Sequence, residues 1–455
     1  MIIFGITSNL SQIYLIPALY DMFEKGLLPE KISIIGIARS PKTQKELTDY
    51  IYSVLHSENR HHKHPIKEKI FKKLCQNVGY LNGSLDDPEF YQKLKKKLKL
   101  KNRIFYLATY PDLYPSIFNN LKRSGLNKQT RGWTRVMIEK PIGDSLKAAR
   151  GLNQLLLKYF TEDQIFRLDH YLGKETLLNL LEFRFRNGIF EPLINKTYVD
   201  HIQVTAAENF GIGQRGIYYD TVGALKDVGQ NHLLQMLALA TMDSPKSFTN
   251  KDITNERIKL LRALVPFPKK VVLGQYQGYN KELNVNPNSI KDTYFAFKTE
   301  IKNARFKGVP VYLRGGKQLK TLATEVSIIF KTGNVLIYRI QPNEGIVLTI
   351  KTKKSGHEMI LEESYMQFCY KQDPVAHYLV DPHERLMYDA IKGDQTNFND
   401  AKEVEAEWKF IDKLEKNLPK LVLYKVGTWG SKEADELIEA DGRKWLEPSI
   451  EFCNI

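Results

Sequence analysis

One apolar stretch of the sequence is interrupted by side chains that could transfer a proton. The segment GALKDVGQNHLLQMLALATM, residues 223–242, is apolar enough for a buried helix, yet it carries Asp227, Gln230, Asn231 and His232. Buried polar groups need partners, and an imidazole titrates close to neutral pH, which suits a general base. A buried histidine can also be purely structural. The amide and carboxylate neighbours favour the catalytic interpretation for His232.

A second cluster combines groups that can bind an anion. The segment RLDHYLGKE places Asp169, His170, Tyr171 and Lys174 just before the apolar helical run TLLNLLEFRF. His170 and Lys174 are four residues apart, so they would share a face in a helical first turn. Two such donors, a phenol and a helix N-terminus suit a phosphate dianion. A capped helix with incidental charges is the alternative.

The segment FGITSNLSQ, residues 4–12, has the outline of a nucleotide-binding turn. Gly5, Ser8 and Ser11 occupy the small-residue positions of a GxxGxxA variant of the dinucleotide fingerprint, where helix N-terminal amides face a pyrophosphate. Only the first is glycine, and TSN could equally be an N-cap without a ligand. If position 8 requires a positive φ, Ser8→Gly should tighten dinucleotide binding by about 1 kcal/mol.

The end of the second expected strand bears on the choice of dinucleotide. An enzyme that prefers NAD usually places Asp or Glu there to hold the ribose hydroxyls, whereas GIARS places Arg39. A guanidinium matches a 2′-phosphate, which indicates NADP. A surface arginine that follows a strand is the alternative.

The elements that must position these groups follow two patterns. Alternating apolar runs and helical stretches in the first third predict a parallel sheet covered by helices. The apolar runs are 2–4, 32–38, 103–109 and 135–139. Beyond residue 200, apolar runs with short turns predict an antiparallel sheet, and helical periodicity returns at 385–417. We therefore expect an α/β N-terminal Rossmann-like doubly wound domain, residues 1–168, and a larger α+β domain with an extensive antiparallel sheet, residues 169–455.

Length and charge limit the number of domains and the kinds of partner that we expect for this chain. A chain of 455 residues is long enough for two domains that are stable without disulfides or metals. The formal net charge of +15 suits phosphate-bearing partners, but no nucleic-acid recognition motif accompanies it. The lysine-rich stretch at 92–103 is interpreted as a solvated helix face. Apolar runs are too short to span a bilayer.

Cysteine and histidine spacing argues against metal sites. Cys75, Cys369 and Cys453 share no CxxC spacing, which argues against a disulfide framework or a zinc site and favours a reducing cytoplasm. The histidines of RHHKHP have no Cys or acid at ligand spacing, so a surface loop is the preferred interpretation.

Seven segments together resemble the glucose-6-phosphate dehydrogenase family and occur in that family's order. They are RLDHYLGKE, VMIEKPIG, QRGIYYDTVGALKDVGQNHLLQM, VPVYLRGGK, RIQPNE, HERLMYDAIKGDQTNF and GTWGSKEADELI, with VMIEKPIG preceding RLDHYLGKE along the chain. The resemblance covers essentially the whole chain, and DHYLGKE together with QNHLLQ is highly specific.

The resemblance implies a reaction and a setting for it. The reaction is NADP-dependent oxidation of glucose 6-phosphate to 6-phosphoglucono-1,5-lactone, the first step of the oxidative pentose phosphate pathway, with NAD as a possible cofactor. His232 would be the general base, and Asp169 would orient and stabilise its imidazolium. The resemblance further implies a cytoplasmic homodimer or dimer of dimers, formed through the large sheet, with no nucleic-acid or membrane partner.

The same resemblance assigns the substrate and cofactor contacts. The 6-phosphate would be held by His170, Tyr171 and Lys174. The contacts to sugar hydroxyls or neighbouring groups would be Lys140, Glu208, Asp227, Lys317 and Gln341. The cofactor contacts would be Gly5, Thr7, Ser8, Arg39, Tyr106 and Lys140. No metal is expected.

The chain departs from the family pattern in two places. The family's turn resembles GASGDLAKKK, whereas GITSNLSQIY lacks a glycine, an acid and several lysines, which bears on cofactor affinity. Leu322 stands where the family often has a second basic residue after RGGK. The alternative hypothesis is a catalytically weak paralogue that binds a sugar phosphate with impaired cofactor use. The intact base and phosphate motifs favour the enzyme.

Overall fold

The computed structural model divides the chain into two compact units that interleave along the sequence. It describes residues 1–58, 65–130, 132–370, 379–416, 418–449 and 452–453. The first unit comprises Met1–Gly143, Lys147–Gly173 and Val380–Asp400, and the second comprises Asp144–Leu146, Lys174–Leu379 and Ala401–Ile455. His61, His62 and His64 of the expected surface loop lie outside the described residues. The domain boundary at residue 168 stays a prediction.

A parallel sheet of six strands forms in the described part of the first unit. Its strands are β1 (Ile2–Phe4), β2 (Ile34–Ala38), β3 (Val78–Asn82), β4 (Arg103–Leu107), β5 (Thr134–Ile138) and β6 (Ile165–Arg167). The order β3-β2-β1-β4-β5-β6 is that of a Rossmann fold, with the reversal between β1 and β4. The predicted Rossmann-like domain is therefore confirmed. β3 and β6 were not among the strands predicted from the sequence.

Helices accompany both sheets. They are α1 (Ile16–Glu24), α2 (Gln44–Leu55), α3 (Glu68–Asn77), α4 (Pro88–Lys97), α5 (Tyr114–Ser124), α6 (Leu146–Tyr159), α7 (Glu175–Arg186), α8 (Gly216–Val222), α9 (Leu234–Thr241), α10 (Asn250–Ala263), α11 (Pro382–Lys392), α12 (Ala401–Leu414) and α13 (Lys432–Glu439). The helical pattern at 385–417 thus corresponds to two helices, since Gly393 ends α11 with a φ of 87°. Leu386, Met387 and Ala390 of α11 join the core of the first unit.

The second unit is built on a larger sheet, which contains nine strands among the described residues. These are β7 (Val199–Ala207), β8 (Leu264–Tyr276), β9 (Tyr294–Ile301), β10 (Pro310–Gly316), β11 (Ala323–Phe330), β12 (Val335–Gln341), β13 (Gly345–Lys353), β14 (Leu361–Cys369) and β15 (Val422–Tyr424). The strand order is β14-β13-β12-β11-β7-β10-β9-β8-β15. β7 pairs with β10 in parallel, as β8 does with β15, so the sheet is mixed rather than purely antiparallel.

The cysteines differ from the sequence expectation. Cys369, the last residue of β14, is disulfide-bonded to Cys453, whereas Cys75 is a free, half-buried thiol. The two partners are 84 residues apart in sequence but their Cα atoms are 5.4 Å apart. A disulfide depends on this spatial proximity, which sequence spacing does not reveal. The expectation of unpaired cysteines is therefore wrong for Cys369 and Cys453.

Helix length and hydropathy bear on membrane insertion. None of the helices in the described part of the chain combines the length and apolar character that a bilayer crossing requires.

Candidate active site

The turn after β1 approaches the end of β4 at the reversal in strand order. Gly5 has a φ of 89°, and a Cβ at this position would collide with the carbonyl oxygen of Ala108. Only glycine meets both conditions without strain. Ligands of open α/β sheets bind at this edge, where the strand order reverses. The structure thus supports the fingerprint interpretation at its first position.

The two serines of the turn stabilise it through hydrogen bonds. The Ser8 hydroxyl oxygen accepts the Ser11 backbone N–H at 3.2 Å, and the Ser11 hydroxyl donates to the Gly5 carbonyl at 2.8 Å. Ser8 is not in the positive-φ region. The condition under which Ser8→Gly would tighten binding, a positive φ at position 8, is therefore not met. Ser8→Gly would remove a hydrogen-bond acceptor without relieving strain, so no tightening of dinucleotide binding is expected from it.

The other cofactor candidates follow the ends of neighbouring strands. Arg39 is exposed and follows β2, which pairs with β1. Thr7 is half-buried, and its carbonyl accepts a hydrogen bond from the Gln12 side chain at 3.1 Å. Lys140 is half-buried beyond β5 and forms a cis peptide bond with Pro141. Parallel strands bring these carboxyl ends to one edge of the sheet.

Tyr106 differs from the other cofactor candidates because it is completely buried within β4. Its hydroxyl donates to Glu139 Oε1 at 2.5 Å. Burial, followed by the negative charge of Glu139, raises the pKa of Tyr106 well above its ordinary value, so the hydroxyl stays protonated. A direct contact between Tyr106 and a cofactor stays a prediction, and the observed role is to hold Glu139 beside Lys140.

The phosphate candidates lie in a tight turn that follows β6. Asp169 is 2% exposed, and its Oδ1 accepts the Tyr171 backbone N–H at 2.9 Å. Residues His170–Gly173 form a 3₁₀ turn, and Lys174 caps α7 with an extended backbone. The expectation that His170 and Lys174 share a face of one helical turn is therefore wrong. His170 belongs to a separate 3₁₀ turn, and Lys174 is the N-cap residue of α7 rather than part of the same helical turn.

His383 is a site residue of the first unit that the sequence reading missed. Its ring stacks on Tyr14, with centroids 4.7 Å apart, and lies parallel to His170 at 6.0 Å. Burial disfavours its protonated form, but Asp381 and Glu139 outweigh burial and raise the pKa of His383. A histidine at the second position of a helix has no distinctive sequence pattern. His383 is recognised only because its ring packs against that of His170 in the structure.

In the second unit, the polar stretch of the sequence forms a π-helix at Leu225–Leu233 that continues into α9. Asp227 and His232 are 4% and 2% exposed, so the predicted burial is confirmed. Asn231 donates to the Asp227 carbonyl at 3.1 Å and accepts the His232 backbone N–H at 2.6 Å. π-Helical turns are rare and concentrate at functional sites. The local geometry therefore favours the functional interpretation of this stretch.

Asp227 faces a half-buried phenol. Tyr218 donates its hydroxyl to Asp227 Oδ1 at 3.1 Å. Burial, followed by the charge of Asp227, raises the pKa of Tyr218. Since the phenol remains a donor, Asp227 remains an acceptor that can also receive a hydrogen bond from a hydroxyl group of a ligand.

Lys317 and Glu208 form an ion pair beyond the ends of β10 and β7. Lys317 is 2% exposed and its ammonium lies over the rings of Phe210 and Tyr219. Burial lowers the pKa of Lys317, and Glu208 partly offsets this effect. Such a pair offers a donor and an acceptor to a polyhydroxylated ligand.

Lys174 contacts a second predicted substrate residue. Its Nζ donates to Gln341 Oε1 at 2.5 Å, which joins the start of α7 to the end of β12. Both residues are half-buried. The structure thus brings together Lys174 with Gln341 and Lys317 with Glu208, two pairs that are distant in sequence.

The second unit also contains a buried acid that the sequence reading missed. Glu407 of α12 is 1% exposed and accepts hydrogen bonds from Gln230 Nε2 at 3.0 Å and Gln235 Nε2 at 2.6 Å. It therefore fixes the helix that carries His232. Glu403 and Glu407 stand four residues apart in EVEAEWKF among apolar residues, and that acidic pair on an apolar face was the available signal.

Two family models match the chain in succession. The model described as the NAD binding domain of glucose-6-phosphate dehydrogenase matches residues 2–179. The model described as the C-terminal domain of glucose-6-phosphate dehydrogenase matches residues 181–446. Together the two matches span nearly the whole chain.

Curated relatives and solved structures match at full length. Glucose-6-phosphate 1-dehydrogenase of Aggregatibacter actinomycetemcomitans is 38% identical, covering 99% of this chain and 97% of its own length. The enzyme of the same name from Borreliella burgdorferi is 37% identical, covering 97% of each chain. A crystal structure of glucose-6-phosphate 1-dehydrogenase from Mycobacterium avium is 32% identical, with a TM-score of 0.89, covering 99% of this chain and 98% of that one. A structure of glucose-6-phosphate dehydrogenase in complex with glucose-6-phosphate is 31% identical, with a TM-score of 0.90 and 98% coverage of both chains.

Proposed function

We propose, from the premise that the chain belongs to the glucose-6-phosphate dehydrogenase family, that it oxidises glucose 6-phosphate to 6-phosphoglucono-1,5-lactone with NADP. The chain is an oxidoreductase with a domain for a nicotinamide dinucleotide. The observation that carries the proposal is His232, a buried imidazole in a π-helical segment that also carries the buried Asp227. That arrangement suits removal of a proton from a sugar hydroxyl.

The proton is the part of the reaction that this chain's own residues handle. His232 takes the proton of the C1 hydroxyl as the C1–H bond releases its electron pair as hydride, and the C1–O bond becomes a carbonyl. Asp169 orients the imidazole and stabilises its protonated form. A bound nicotinamide supplies the acceptor for the hydride. The sugar thus loses one hydride and one proton, and the lactone is formed.

Substrate positioning is divided between the phosphate and the sugar. His170, Tyr171 and Lys174 hold the 6-phosphate, and the Lys174 ammonium supplies the permanent positive charge. Sugar hydroxyls or neighbouring groups are contacted by Lys140, Glu208, Asp227, Lys317 and Gln341. Because both ends of the sugar are held, C1 is fixed relative to the imidazole of His232. This positioning lowers the activation barrier of the reaction.

The residues beside β1 fit a dinucleotide. A Cβ at Gly5 would fill the space next to Ala108, so the chain keeps this position open for a close backbone approach. Thr7 and Ser8 lie in the same turn, and Lys140 and Tyr106 belong to neighbouring strand ends. The exposed Arg39 guanidinium after β2 matches the 2′-phosphate of NADP, and no acid stands at that position to favour NAD.

Removal of the Arg39 guanidinium tests the choice of cofactor. Arg39→Gln is expected to raise the KM for NADP by roughly tenfold or more and to leave the KM for NAD almost unchanged, because only NADP carries the 2′-phosphate. Initial rates with both cofactors at saturating glucose 6-phosphate measure this. Lys45→Gln, a charge-matched change at an exposed position of α2, is the control. Equal weakening of both cofactors by Arg39→Gln would contradict the assignment.

The activity itself is tested by initial rates of reduced-nicotinamide formation from the purified wild type. Glucose 6-phosphate is expected to support turnover with NADP. The matched negative control is fructose 6-phosphate, because its anomeric carbon, C2, carries no hydrogen that could leave as hydride. The alternative, a weak paralogue with impaired cofactor use, predicts binding of the sugar phosphate without turnover. No observation among the described residues favours it.

We also propose that two copies of the chain associate through the large sheet. β14 lies at one end of the strand order, and it exposes large apolar side chains. These include Leu361 at 65%, Tyr365 at 50%, Met366 at 60% and Phe368 at 44% exposure. An exposed apolar edge strand is a site of association unless it is covered. A homodimer covers it, and a dimer of dimers extends the same contact.

A charge on β14 tests the association. Met366→Lys is expected to convert a dimer to a monomer at micromolar concentration, because a lysine in an apolar contact carries a desolvation penalty. Sedimentation velocity across a concentration series measures the mass. Leu423→Lys makes the same change at a 65% exposed position of β15, the opposite edge, and should leave the mass unchanged. A dimer that survives Met366→Lys but not Leu423→Lys would place the interface elsewhere.

The cytoplasm is the proposed location. The free thiol of Cys75 agrees with a reducing compartment, whereas the Cys369–Cys453 disulfide argues against it, because disulfides persist mainly in oxidising compartments. Neither nucleic acid nor membrane is part of the proposed function.

A further inference from the structure

Two residues that immediately precede β9, Asp292 and Thr293, connect two segments of the second unit that carry proposed substrate contacts. The Asp292 carboxylate accepts the Leu225 backbone N–H at 2.7 Å, and the Asp292 carbonyl accepts the Ala224 N–H at 2.9 Å. The Thr293 carbonyl accepts the Lys317 N–H at 2.9 Å. The junction therefore holds both the first turn of the π-helix and the backbone of Lys317.

The space around the Asp292 carboxylate is closely matched to it. Gly223, which precedes the helix, has a φ of 78°, and a Cβ there would collide with Asp292 Oδ1. A glycine at this position thus allows the carboxylate to approach the first helical amides. Asp292 caps the helix from the segment just before β9, although it is 67 residues away from Leu225 in sequence.

We propose that Asp292 is a positioning residue whose ionised carboxylate fixes the N-terminus of the π-helical segment and thereby places Asp227 and His232 for the reaction. This inference rests on the proposed function. A carboxylate forms a stronger hydrogen bond to a backbone N–H than a neutral group does, and it also interacts favourably with the positive end of a helix. Loss of the charge weakens the attachment without removing the oxygen acceptor.

The ionisation of Asp292 falls within an accessible pH range. Burial raises the pKa of Asp292 to about 6, although the Leu225 and Asp292 backbone N–H groups favour its charged form. The charged and titratable groups that face it are Lys291, Glu415 just after α12, Tyr219 of α8, Tyr279 and Tyr424 of β15. The three phenols remain neutral, and Glu415 pairs with Lys226 at 3.2 Å. Among the groups around the start of the π-helix, Asp292 is therefore the one whose charge changes near pH 6.

Asp389 offers a matched control for this titration. It is a buried carboxyl on α11 that accepts a hydrogen bond from Asn397 at 2.8 Å, and burial raises its pKa to about 6 as well. It belongs to the first unit and makes none of the hydrogen bonds that hold the π-helix. Asp389→Asn thus removes an equivalent titration without touching that helix.

The test compares kcat for wild type, Asp292→Asn and Asp389→Asn between pH 5 and pH 8 with glucose 6-phosphate and NADP. At pH 8, Asp292→Asn is expected to be about fivefold slower than wild type. The ratio should approach one at pH 5, where wild-type Asp292 is itself protonated. Asp389→Asn should follow wild type at every pH.

Several outcomes would overturn the inference. A constant ratio across the pH range would show that Asp292 has only a structural role, and wild-type kcat in Asp292→Asn at pH 8 would show that its charge has no role. The unfolding temperature of Asp292→Asn at pH 8 should be at least that of wild type, since above pH 6 the variant removes a charge that desolvation disfavours. If Asp292→Asn does not fold, Asp292→Ser gives the same comparison. Absence of wild-type turnover would instead contradict the proposed function.

Discussion

Replacement of His232 by asparagine is expected to lower the kcat for glucose 6-phosphate by roughly two to four powers of ten. Asparagine preserves a polar side chain of similar size in the buried helix but cannot accept a proton at neutral pH. The KM should change little, because the phosphate and sugar contacts belong to other residues. Asp169→Asn should lower kcat in the same direction but less, since it impairs the orientation and charge stabilisation of the imidazole. Steady-state kinetics with purified variants measure both.

Another buried histidine of the second unit provides the control for this result. His201 of β7 is 6% exposed and bonds to Asp200 at 2.6 Å and Gln203 at 2.8 Å, and burial lowers its pKa. His201→Asn should retain turnover close to wild type, because this histidine has no part in the reaction. Near-normal turnover of His232→Asn would remove His232 from the mechanism.

Loss of the Lys174 ammonium is expected to raise the KM for glucose 6-phosphate by roughly 10- to 100-fold. Lys174→Gln keeps a hydrogen-bonding side chain next to Gln341 but removes the charge that faces the phosphate dianion. The kcat/KM for free glucose, which lacks the phosphate, should change by no more than about twofold. Initial-rate kinetics with the two sugars at saturating cofactor separate the effects.

An exposed lysine of the same unit completes this comparison. Lys246→Gln removes one positive charge from the surface and should leave both sugars unaffected. Equal losses for glucose 6-phosphate and glucose in Lys174→Gln would show that Lys174 supports the fold or the sugar site rather than the phosphate.

The Rossmann-like sheet could be predicted from sequence because its strands are short apolar runs separated by helical periodicity. β3 and β6 escaped detection for identifiable reasons. The sequence of β3, VGYLN, mixes a glycine and an asparagine into the run, and β6, IFR, has only two apolar residues before an arginine. Both strands are held by pairing with neighbours that local propensity does not encode.

Parallel pairing within the larger sheet could not be predicted for a different reason. The runs after residue 200 indicate strands but not their partners, and β7 pairs with β10 across about 100 residues of intervening chain. The disulfide between Cys369 and Cys453 presents the same problem. Contacts of this kind depend on the assembled fold rather than on spacing along the chain.

The candidate site was predicted best where polar side chains interrupt a segment that is otherwise apolar enough to be buried. His232 and Asp227 stood out because polar residues interrupted an apolar helix, and both are buried. Asp292 and Glu407 gave weaker signals, since the importance of each acid lies in hydrogen bonds to a distant helix. Sequence patterns thus reveal groups that carry out chemistry more readily than groups that hold them.

Transfer of the C1 hydrogen tests the central claim most directly. Glucose 6-phosphate that carries deuterium at C1 is incubated with the wild-type protein and NADP, and the reduced nicotinamide is analysed by mass spectrometry. Oxidation at C1 predicts one deuterium in each reduced nicotinamide, together with the lactone or its hydrolysis product in equal amount. Reduced nicotinamide without deuterium, or no reduction at all, would contradict the account.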